Sequence, residues 1–494
     1  MELEGDKIVT AREMARVEKI SIDAGASDEA YMLRAGEGIA EHVEMFIQKR
    51  RLNKEITLLV GKGNNGGDAF VAGTVLLQKG FHVFACPIAD LDEATPLCQK
   101  HEQAFIRAGG EVCRGLEKDF KGVILDGLLG TGFKGKLKGK YLEWIEKANL
   151  SKCPILSIDI PSGVNGNSGE VDPIAIQAEE TLFLGLPKRG FFYGEGYNFI
   201  GRSSGVDFGM EKHYLKEAKA SAFLLNERIL PSLLPLVKRI RHKYQAGYVV
   251  ALAGSPGMPG AALLTCLAAM RSGAGIVRLF HPEGMEGELT LAPYELIRMS
   301  YPWGDPTHFF NESKRASAAL IGPGLGRMEQ MHTFVQQVAS QLNIPCVIDA
   351  DGLIHLKVFP KGAVLTPHHQ EMLHLLGRET LTQERCQEFV ELNGVTVVLK
   401  GAPTWIYHPQ TSPIVVPRGD PGMATAGTGD VLTGIIAALL AQKVQGREAA
   451  VLGVYLHAIA GEIAAAAKTS YGMIASDLIE ALPLAFQKLL TQSA

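Results

Sequence analysis

The sequence contains few cysteines, and their spacing pairs none of them. Seven cysteines are scattered over 494 residues, and no two form a C-x-x-C segment. An odd, scattered set argues against a disulfide framework and against a cysteine-ligated zinc site, and it is typical of proteins in a reducing compartment. We therefore expect a cytoplasmic protein.

The chain also lacks long apolar runs and an excess of basic residues. No uninterrupted apolar stretch reaches the ~18 residues of a membrane-spanning helix, and the first residues lack the basic-then-apolar layout of a secretory signal. Lysine and arginine number 49 against 53 aspartates and glutamates, whereas general nucleic-acid binding needs a basic surface that neutralises phosphates. We expect neither a membrane nor a nucleic acid as a partner.

Glycine, in contrast, is abundant, with 55 of the 494 residues, above the usual ~7%. Much of it lies in short clusters that follow strand-like runs. None of these clusters has the G-x-x-x-x-G-K-[ST] pattern of a P-loop. The glycine clusters mark the positions where we expect ligands.

Two series of β-branched runs alternate with helical segments. The first series lies within 55–187 and the second within 247–407, where the run 394–407 is predicted as one strand. Strands separated by helices predict parallel sheets covered on both faces, so the fold class is α/β. At this length we expect two domains, at residues 1–215 and 220–494, each with its own site.

The segment "RGDPGMATAGTGDVLTGIIAALLA" (418–441) joins a glycine-rich coil to an apolar helix that starts near Asp430. A helix N-terminus offers unpaired N–H groups, and preceding glycines let the backbone wrap closely around a phosphate. A carboxylate there could act as acid or base on a neighbouring hydroxyl. The alternative is that Asp430 caps the helix and the glycines form a tight loop. Glycine loops at 254–261, 322–326 and 400–404 also end predicted strands, which favours a ligand site.

These motifs resemble a known family. "GPGLG", "VIDADGL", "LTPH", "VVLKG" and "GMATAGTGDVLTG" occur in the order found in the ribokinase-like domain of the NAD(P)H-hydrate dehydratases, over about 220–490. The resemblance implies a ribokinase-like α/β fold. It also implies phosphorylation of the hydroxyl of hydrated NADH or NADPH by ADP or ATP with a magnesium ion, after which phosphate leaves where water would leave poorly.

The same resemblance implies residue roles, with Asp430 as the catalytic acid/base. The residues that would face the hydrated dinucleotide are Ala261, Gly324, His368 and Asp430. The residues that would hold the nucleotide are Lys400, Gly401, Ala402, Pro403, Thr404, Asp420, Gly422, Met423, Ala424, Thr425, Ala426, Gly427, Thr428 and Gly429. Two positions depart from the family pattern: His369 and Gln370 replace Pro and Gly, and Ala426 replaces a glycine.

Three loops follow predicted strands in the first series: "GKGNNGGDAF" (61–70), "LDGLLGTGFKGKL" (125–137) and "SIDIPSGVNGNSGE" (157–170). Paired Asn side chains beside glycines suit a hard cation or a sugar hydroxyl. For the first loop alone, an ordinary strand–turn–helix junction is the alternative. Because the carboxyl ends of parallel strands share one edge, we expect Asp126, Asp159 and Ser162 to meet there.

The three loops together resemble the NAD(P)H-hydrate epimerase domain, over about 1–215, with the "NNGGD" core intact. The resemblance implies a Rossmann-like parallel-sheet domain with Asp159 as the acid/base group. It also implies a potassium ion bound by Asn65, Asp126 and Ser162 together with backbone carbonyls. The residues that would contact the hydrated dinucleotide are Asn64, Asn65, Gly66, Gly67, Asp68, Gly130, Thr131, Gly132, Phe133, Lys134, Gly135, Lys136 and Asp159.

Both resemblances together predict one metabolite-repair chain. Its first domain would interconvert the R and S hydrates, NADHX and NADPHX, and its second would dehydrate the S form. The preferences for ADP or ATP and for NADHX or NADPHX stay open, and we expect a homo-oligomer. The alternatives are a ribokinase-like kinase for a sugar or vitamin precursor, and a first domain that is a non-catalytic binding module. The epimerase-like loops favour the hydrate, and the presence of Asp126 and Asp159 argues against a module without chemistry.

Overall fold

The computed structural model describes residues 2–115, 119–133 and 135–491. Two units account for the chain: one is Asp6–Ala222, and the other is Phe223–Ala494 together with the N-terminal segment Met1–Gly5. Each unit is an α/β structure built on its own sheet. This confirms the predicted fold class.

The first part of the chain contains strands β1 (Glu4–Ile8), β2 (Glu55–Val60), β3 (His82–Pro87), β4 (Glu111–Val112), β5 (Val123–Gly127), β6 (Ile155–Ile158), β7 (Glu180–Leu184), β8 (Arg202–Val206) and β9 (Ala222–Leu225). Its helices are α1 (Ala11–Asp23), α2 (Asp28–Arg50), α3 (Asn64–Gln78), α4 (Pro96–Arg107), α5 (Lys140–Leu150) and α6 (Lys212–Glu217). Side-chain caps fix several of these helix starts. Thr10, Ser27 and Thr95 each accept a hydrogen bond from the backbone N–H three residues ahead, at α1, α2 and α4.

The seven-stranded sheet of the first unit has the order β4-β3-β2-β5-β6-β7-β8, with all neighbours parallel. From β2 the chain adds strands toward one edge, and from β5 it adds strands toward the other. The strand order therefore reverses between β2 and β5. In open α/β sheets ligands bind at the carboxyl ends of the strands beside such a reversal.

The second unit contains strands β10 (Tyr248–Leu252), β11 (Ile276–Pro282), β12 (Ile297–Tyr301), β13 (Ala318–Ile321), β14 (Cys346–Ile348), β15 (Val364–Leu365), β16 (Thr396–Leu399), β17 (Thr404–Tyr407) and β18 (Ile414–Val416). Its helices are α7 (Leu230–Leu233), α8 (Pro259–Arg271), α9 (Thr307–Ser313), α10 (Glu329–Gln341), α11 (Asp351–His355), α12 (His369–Leu375), α13 (Gln383–Asn393), α14 (Thr428–Ala441), α15 (Gly446–Lys468) and α16 (Ala475–Thr491).

The eleven-stranded sheet has the order β1-β9-β18-β17-β16-β15-β14-β13-β10-β11-β12. Strands β10 to β16 are parallel, and the order reverses between β10 and β13. The prediction of a single strand over 394–407 is wrong, because β16 and β17 form an antiparallel pair. Pro403 lacks a backbone N–H and cannot continue a sheet ladder, so the chain turns between the two strands.

Helix α14 lies in the core of the second unit, and nearly all of its residues are buried. A side chain at Gly434 would place its Cβ 2.2 Å from the backbone oxygen of Thr265 on α8. Glycine therefore permits a backbone approach that alanine would prevent. This contact holds the first turn of α14, with Asp430, close to α8.

Helix α15 is, among the described residues, long and apolar enough to cross a membrane by length and composition alone. Of its most apolar stretch, 72% is buried inside the protein, as in the core helix of a folded domain. Its apolar character is therefore explained by packing.

The division of the chain differs from the predicted one at its N-terminus. Residues 1–5 belong with the second unit, and the boundary in mid-chain lies at Ala222 rather than at 215–220. Leu3 is 3% exposed and joins the apolar core of the second unit. The Glu4 carboxylate pairs with Arg447 at 2.5 Å. A segment of five residues is too short for any periodicity to predict that the N-terminus packs with the second unit.

Two candidate active sites

A cleft of about 700 Å³ lies at the carboxyl ends of β2, β5 and β6 in the first unit. The predicted site residues that line it are Asn64, Asn65, Asp68, Gly130, Thr131, Gly132, Phe133 and Asp159. They come from the three loops that the sequence singled out. The strand-end positions of those loops thus converge on one cavity beside the reversal in strand order.

Other predicted residues of this site do not line the cleft. Gly66 and Gly67 are buried in the first turn of α3, where an added Cβ would lie 2.0 Å from the backbone oxygen of Gly61 and 2.6 Å from the sulfur of Met32. These two glycines therefore allow close packing of α3. Gly135 and Lys136 are also outside the lining, and the Lys136 ammonium pairs with Asp172 at 2.8 Å. Lys134 lies outside the described residues.

Asp126, Ser162 and Asn65 belong to one buried hydrogen-bond network. The fully buried Asp126 carboxylate accepts hydrogen bonds from the Ser162 hydroxyl (2.6 Å), the Ser162 N–H (2.9 Å) and the Ser157 hydroxyl (2.8 Å). The Asn65 amide donates to the backbone oxygens of Leu129 (3.0 Å) and Ile158 (2.9 Å). Burial raises the pKa of Asp126, and the hydrogen bonds from Ser162 and Ser157 oppose that shift.

This network fits a hard cation by its chemistry. Carboxylate, hydroxyl, amide and carbonyl oxygens are the ligands that such ions take in proteins. No hydrogen bond or ion pair joins Asp126 to a basic side chain within residues 2–115, 119–133 and 135–491, so its charge has no protein counter-ion there. In the same ranges no three His, Cys, Asp or Glu side chains cluster in the way a transition metal would require.

Asp159 is held by a lysine that sequence reasoning missed. Its backbone has φ of 61°, a left-handed conformation that is uncommon outside glycine and recurs at functional sites. The Asp159 Oδ1 accepts hydrogen bonds from the Lys188 ammonium and from the N–H of Leu184 (3.3 Å). Lys188 is 1% exposed and also donates to the Leu184 carbonyl (2.9 Å). A lone Lys in "PKRG" carries no sequence signal for this role.

Glu18 and Asp68 also line this cleft, and the pKa values of both carboxyl groups are raised. Burial raises the pKa of Glu18 to about 7; the Lys188 charge opposes the shift, and the charges of Asp159 and Asp28 add to it. Burial, with the charges of Asp159 and Glu18, raises the pKa of Asp68 well above its ordinary value. Asp68 was predicted, whereas Glu18 on α1 was not.

The site of the second unit centres on Asp430, in the first turn of α14. Burial raises the pKa of Asp430 to about 7; the charge of Asp349 adds to the shift, and the charge of Lys400 opposes it. The Lys400 ammonium lies 2.7 Å from Asp349 Oδ1 and 3.9 Å from Glu371 Oε2. One partly buried lysine thus faces a group of carboxylates at the start of a helix.

Asp349 and Thr433 are members of this site that sequence reasoning did not assign. Asp349 is 1% exposed and accepts a hydrogen bond of 2.6 Å from the Thr433 hydroxyl. The signal for Asp349 was present, because it stands in the quoted "VIDADGL" motif at the carboxyl end of β14. Thr433 lies one helical turn after Gly429, and nothing in the neighbouring sequence indicates that it belongs to the site.

The glycine loop before α14 leaves backbone accessible beside Lys400. Gly427 has φ of 93° and precedes the helix, and a Cβ built on Gly429 would lie 3.3 Å from the Lys400 ammonium. His457 donates from Nε2 to the carbonyl of Thr428 at 2.9 Å. Burial lowers the pKa of His457 to about 4, so a neutral ring fixes this turn.

The remaining predicted residues of the second site occupy neighbouring loops. Asp420 caps the short turn Pro421–Met423 by accepting from the N–H of Gly422 (2.8 Å), which assigns its carboxylate a structural contact. Residues 424–426 continue from this turn toward α14. Gly401, Ala402 and Pro403 lie in the turn between β16 and β17, and Thr404 begins β17, where its hydroxyl donates to the Gly401 carbonyl at 3.0 Å.

Ala261 and Gly324 are adjacent, since a Cβ on Gly324 would lie 3.2 Å from that of Ala261. His368 is half-exposed and caps α12, where its Nδ1 accepts from the N–H of Gln370 at 3.1 Å. Glu371 completes this capping box by accepting from the His368 N–H at 2.7 Å. The two residues that depart from the family pattern, His369 and Gln370, therefore form an ordinary first helical turn. A bridge between His368 and Lys400 places the two backbones side by side.

A cavity of about 1860 Å³ in this unit contains none of the predicted residues. It is lined by residues that precede strands, such as Ser317, Pro345 and Gly362. It therefore lies at the amino ends of the parallel strands. The acid–base groups lie at the opposite edge of the sheet, where α/β folds bind their ligands.

Each of the two α/β units has glycine-rich loops, a reversal in strand order and a carboxylate paired with a lysine. These features define an α/β enzyme with two separate acid–base sites. Comparison with known proteins specifies this class. The family described as NAD(P)H-hydrate dehydratase matches residues 249–484, and the family described as YjeF-related protein N-terminus matches residues 28–190.

Curated relatives match over nearly the whole chain. The bifunctional NAD(P)H-hydrate repair enzyme of Moorella thermoacetica is 32% identical over 98% of this chain and 97% of its own length. The enzyme of the same name from Vibrio cholerae is 34% identical over 84% of this chain and 85% of its own. The chain belongs to the family of bifunctional NAD(P)H-hydrate repair enzymes.

Among solved structures, the ADP/ATP-dependent NAD(P)H-hydrate dehydratase of Bacillus subtilis, co-crystallised with ATP and Mg²⁺, is 28% identical. It covers 54% of this chain and 99% of its own, with a TM-score of 0.48. A ribokinase-like superfamily protein of Enterococcus faecalis is 29% identical and covers 54% of this chain and 95% of its own, with a TM-score of 0.49.

Proposed function

We propose that the chain repairs hydrated NADH and NADPH with both of its units. The first unit interconverts the R and S hydrates, and the second dehydrates the S form at the expense of ADP or ATP. The observation that carries the proposal is the pair of acid–base sites in a chain similar to bifunctional repair enzymes over nearly its full length. If dehydration accepts one epimer only, the first unit supplies that epimer from the other.

In the second unit, Asp430 is the base that takes the proton from the substrate hydroxyl. A pKa of about 7 suits a group that must both accept and return a proton near neutrality. Backbone N–H groups around Gly427 and Gly429 and the Lys400 ammonium stabilise the transferred phosphoryl group, because a helix start and a cation both favour negative charge. A magnesium ion bound with the nucleotide would neutralise its phosphates. The phosphorylated hydroxyl then leaves as phosphate.

In the first unit, Asp159 is the acid/base group, and Lys188 orients its carboxylate through the buried ion pair. Asn65, Asp126 and Ser162 would hold a potassium ion that balances the Asp126 charge and orders three loops. Replacing potassium with choline should then slow interconversion of R and S hydrates and leave S dehydration less affected. Equal rates in both salts would contradict the ion site.

The proposal is tested with the purified chain, a mixture of R and S hydrates, and ADP or ATP. Recovery of the absorbance of reduced nicotinamide should go to completion. Asp159→Asn should stop recovery once the S fraction is consumed, because the R hydrate is then stranded. Recovery that continues through the R fraction at the normal rate would remove Asp159 from the proposal.

The alternative of a small-molecule kinase makes a different prediction from the same assay. A kinase would consume nucleotide with a sugar or vitamin precursor and restore no nicotinamide absorbance. The cytoplasmic location and the homo-oligomer stay predictions from the sequence. Sedimentation of the purified chain addresses the second of these.

A further inference from the structure

We propose that Glu18 is the second proton-transferring group of the first unit, acting on the hydrated carbon together with Asp159. This inference rests on the epimerase activity proposed above and adds a residue to it. Glu18 lies on α1, outside the three loops that supply the other predicted members of the site.

The position of Glu18 on α1 is unusual for a carboxylate. The residues of α1 that face the interior are Ala11, Met14, Val17 and Ser21. Glu18 lies one turn from Met14 on the same side of the helix, where an apolar residue would be expected. It lines the cleft. No hydrogen bond or ion pair of its side chain is found among the described residues of the chain. A half-buried carboxyl without a partner lowers stability, and such groups concentrate at functional sites.

The charged groups around Glu18 come from four elements. Lys188 follows β7, Asp159 follows β6, Asp28 begins α2, and Asp68 lies one turn into α3. The single lysine is hydrogen-bonded to Asp159, so Asp159 is the carboxylate whose charge is balanced. Glu18 is left among negative neighbours, and its pKa of about 7 lets it hold or release a proton near neutrality.

Asp68 is less suited than Glu18 to proton transfer with the substrate. It is 5% exposed, and its pKa lies well above the ordinary value because of burial and then of its negative neighbours. Burial therefore favours the neutral form of that carboxyl. Glu18 is more accessible from the cleft and titrates in the working range.

The chemistry of the substrate requires two proton-transferring groups. Water adds to the enamine double bond of a reduced nicotinamide so that the hydroxyl is on the carbon next to the ring nitrogen. To invert that carbon, an acid protonates the hydroxyl, and the carbon–oxygen bond breaks with its electron pair leaving in water. The nitrogen lone pair forms a carbon–nitrogen double bond. Water then adds to the opposite face, a base takes its proton, and the nitrogen regains its lone pair.

One water leaves and one enters, so the atoms balance and the product is the other epimer. Glu18 gives the first proton and Asp159 takes the second; the reverse reaction exchanges their roles, and both reset by proton exchange with solvent. A single carboxyl on one face could not serve both the departing and the arriving oxygen. Glu18 supplies the protonated acid, and Asp159, whose charge Lys188 balances, supplies the carboxylate. The pair therefore offers an acid and a base at the same pH.

The test compares Glu18→Gln with Asp23→Asn, an acid-to-amide control at the exposed end of the same helix. R-to-S interconversion is followed by chromatography without nucleotide, and S dehydration is followed by absorbance. Glu18→Gln should slow interconversion by about 10²- to 10⁴-fold, with S dehydration unchanged and thermal stability no lower than that of the wild type. Asp23→Asn should keep the wild-type rate. An unchanged interconversion rate in Glu18→Gln would overturn the inference.

The pH profile separates proton transfer from a structural role. Interconversion needs one group protonated and the other ionised, so its profile should be bell-shaped, with a limb near pH 7 that Glu18→Asp retains and Glu18→Gln lacks. Asp28→Asn should move that limb to lower pH, because the Asp28 charge raises the pKa of Glu18. A limb that Asp28→Asn leaves in place, or a Glu18→Asp variant as slow as Glu18→Gln, would overturn the assignment. A wild-type chain that cannot interconvert the hydrates would instead refute the proposed function itself.

Discussion

At the scale of single residues, each site brings a lysine close to the carboxylate that we propose as its acid–base group. Asp430 faces Lys400, and Asp159 is bonded to Lys188. The sequence predicted the two aspartates because each stands beside glycines at a strand end or helix start. The roles of Lys188 and Glu18 in the site could not be predicted from the sequence. Their partners lie on other elements, and only the topology of the fold brings them close together.

Asp430→Asn should abolish recovery of reduced nicotinamide from either hydrate, lowering the rate by about 10²- to 10⁴-fold. The amide keeps the shape of the side chain but cannot accept the hydroxyl proton. Absorbance with the pure S hydrate and nucleotide measures this loss. R-to-S interconversion, followed by chromatography, should be unchanged, and a parallel loss there would point to a folding defect instead.

The rate of S dehydration should rise with pH through about 7, because Asp430 accepts a proton only when ionised and its pKa is about 7. Lys400→Met removes a positive charge that lowers this pKa, so the rising limb should move to higher pH. The profile is recorded at saturating nucleotide, since Lys400 is also proposed to contact the phosphates. A limb that moves to lower pH would contradict the assigned coupling.

At the scale of elements, alternating strands and helices and the helix that carries Asp430 could be predicted from periodicity. The hairpin of β16 and β17 could not, because the glycine loop at 400–404 marks the end of one strand but carries no local sign that the next strand returns antiparallel beside it. Strands β1 and β9 were also missed. Their pairing joins segments more than 200 residues apart, and nothing local distinguishes them from loops.

Gly434→Ala tests the contact between α14 and α8. The added methyl would meet the Thr265 backbone oxygen at 2.2 Å, so the helices must separate, at a cost of about 1–3 kcal/mol in the free energy of unfolding. Gly260→Ala on α8 is the control, because nothing lies within 4 Å of its Cβ position, and it should change stability by less than about 0.5 kcal/mol. Chemical denaturation measures both. Equal stability of the two variants would mean that the helices yield without strain.

At the scale of the whole molecule, the chain order of the two units is not simply one after the other. The first residues belong to the second unit, so the N-terminus contributes to the stability of the unit that carries Asp430. Length and composition predicted two domains, but they carry no information on which unit a short terminal segment joins.

Leu3→Ala should therefore damage the second activity rather than the first. Leu3 is 3% exposed, and removing a buried leucine side chain costs about 2–5 kcal/mol. After heating, S dehydration should be lost at a lower temperature than in the wild type, while R-to-S interconversion keeps its wild-type heat resistance. Leu33→Ala, on the 40%-exposed Leu33 of the first unit, is the matched control. If interconversion were the more heat-sensitive activity in Leu3→Ala, residue 3 would belong to the other unit.

The return of the N-terminus also determines how the gene can be divided. A cut after Ala222 would remove β1, the edge strand of the eleven-stranded sheet, and make β9 the edge, with its N–H and C=O groups unpaired on that side. An exposed edge strand of this kind can pair with strands of other molecules. The C-terminal half expressed alone would therefore tend to self-associate. A rearranged gene that carries the first eight codons directly ahead of that half would restore β1 as its edge strand.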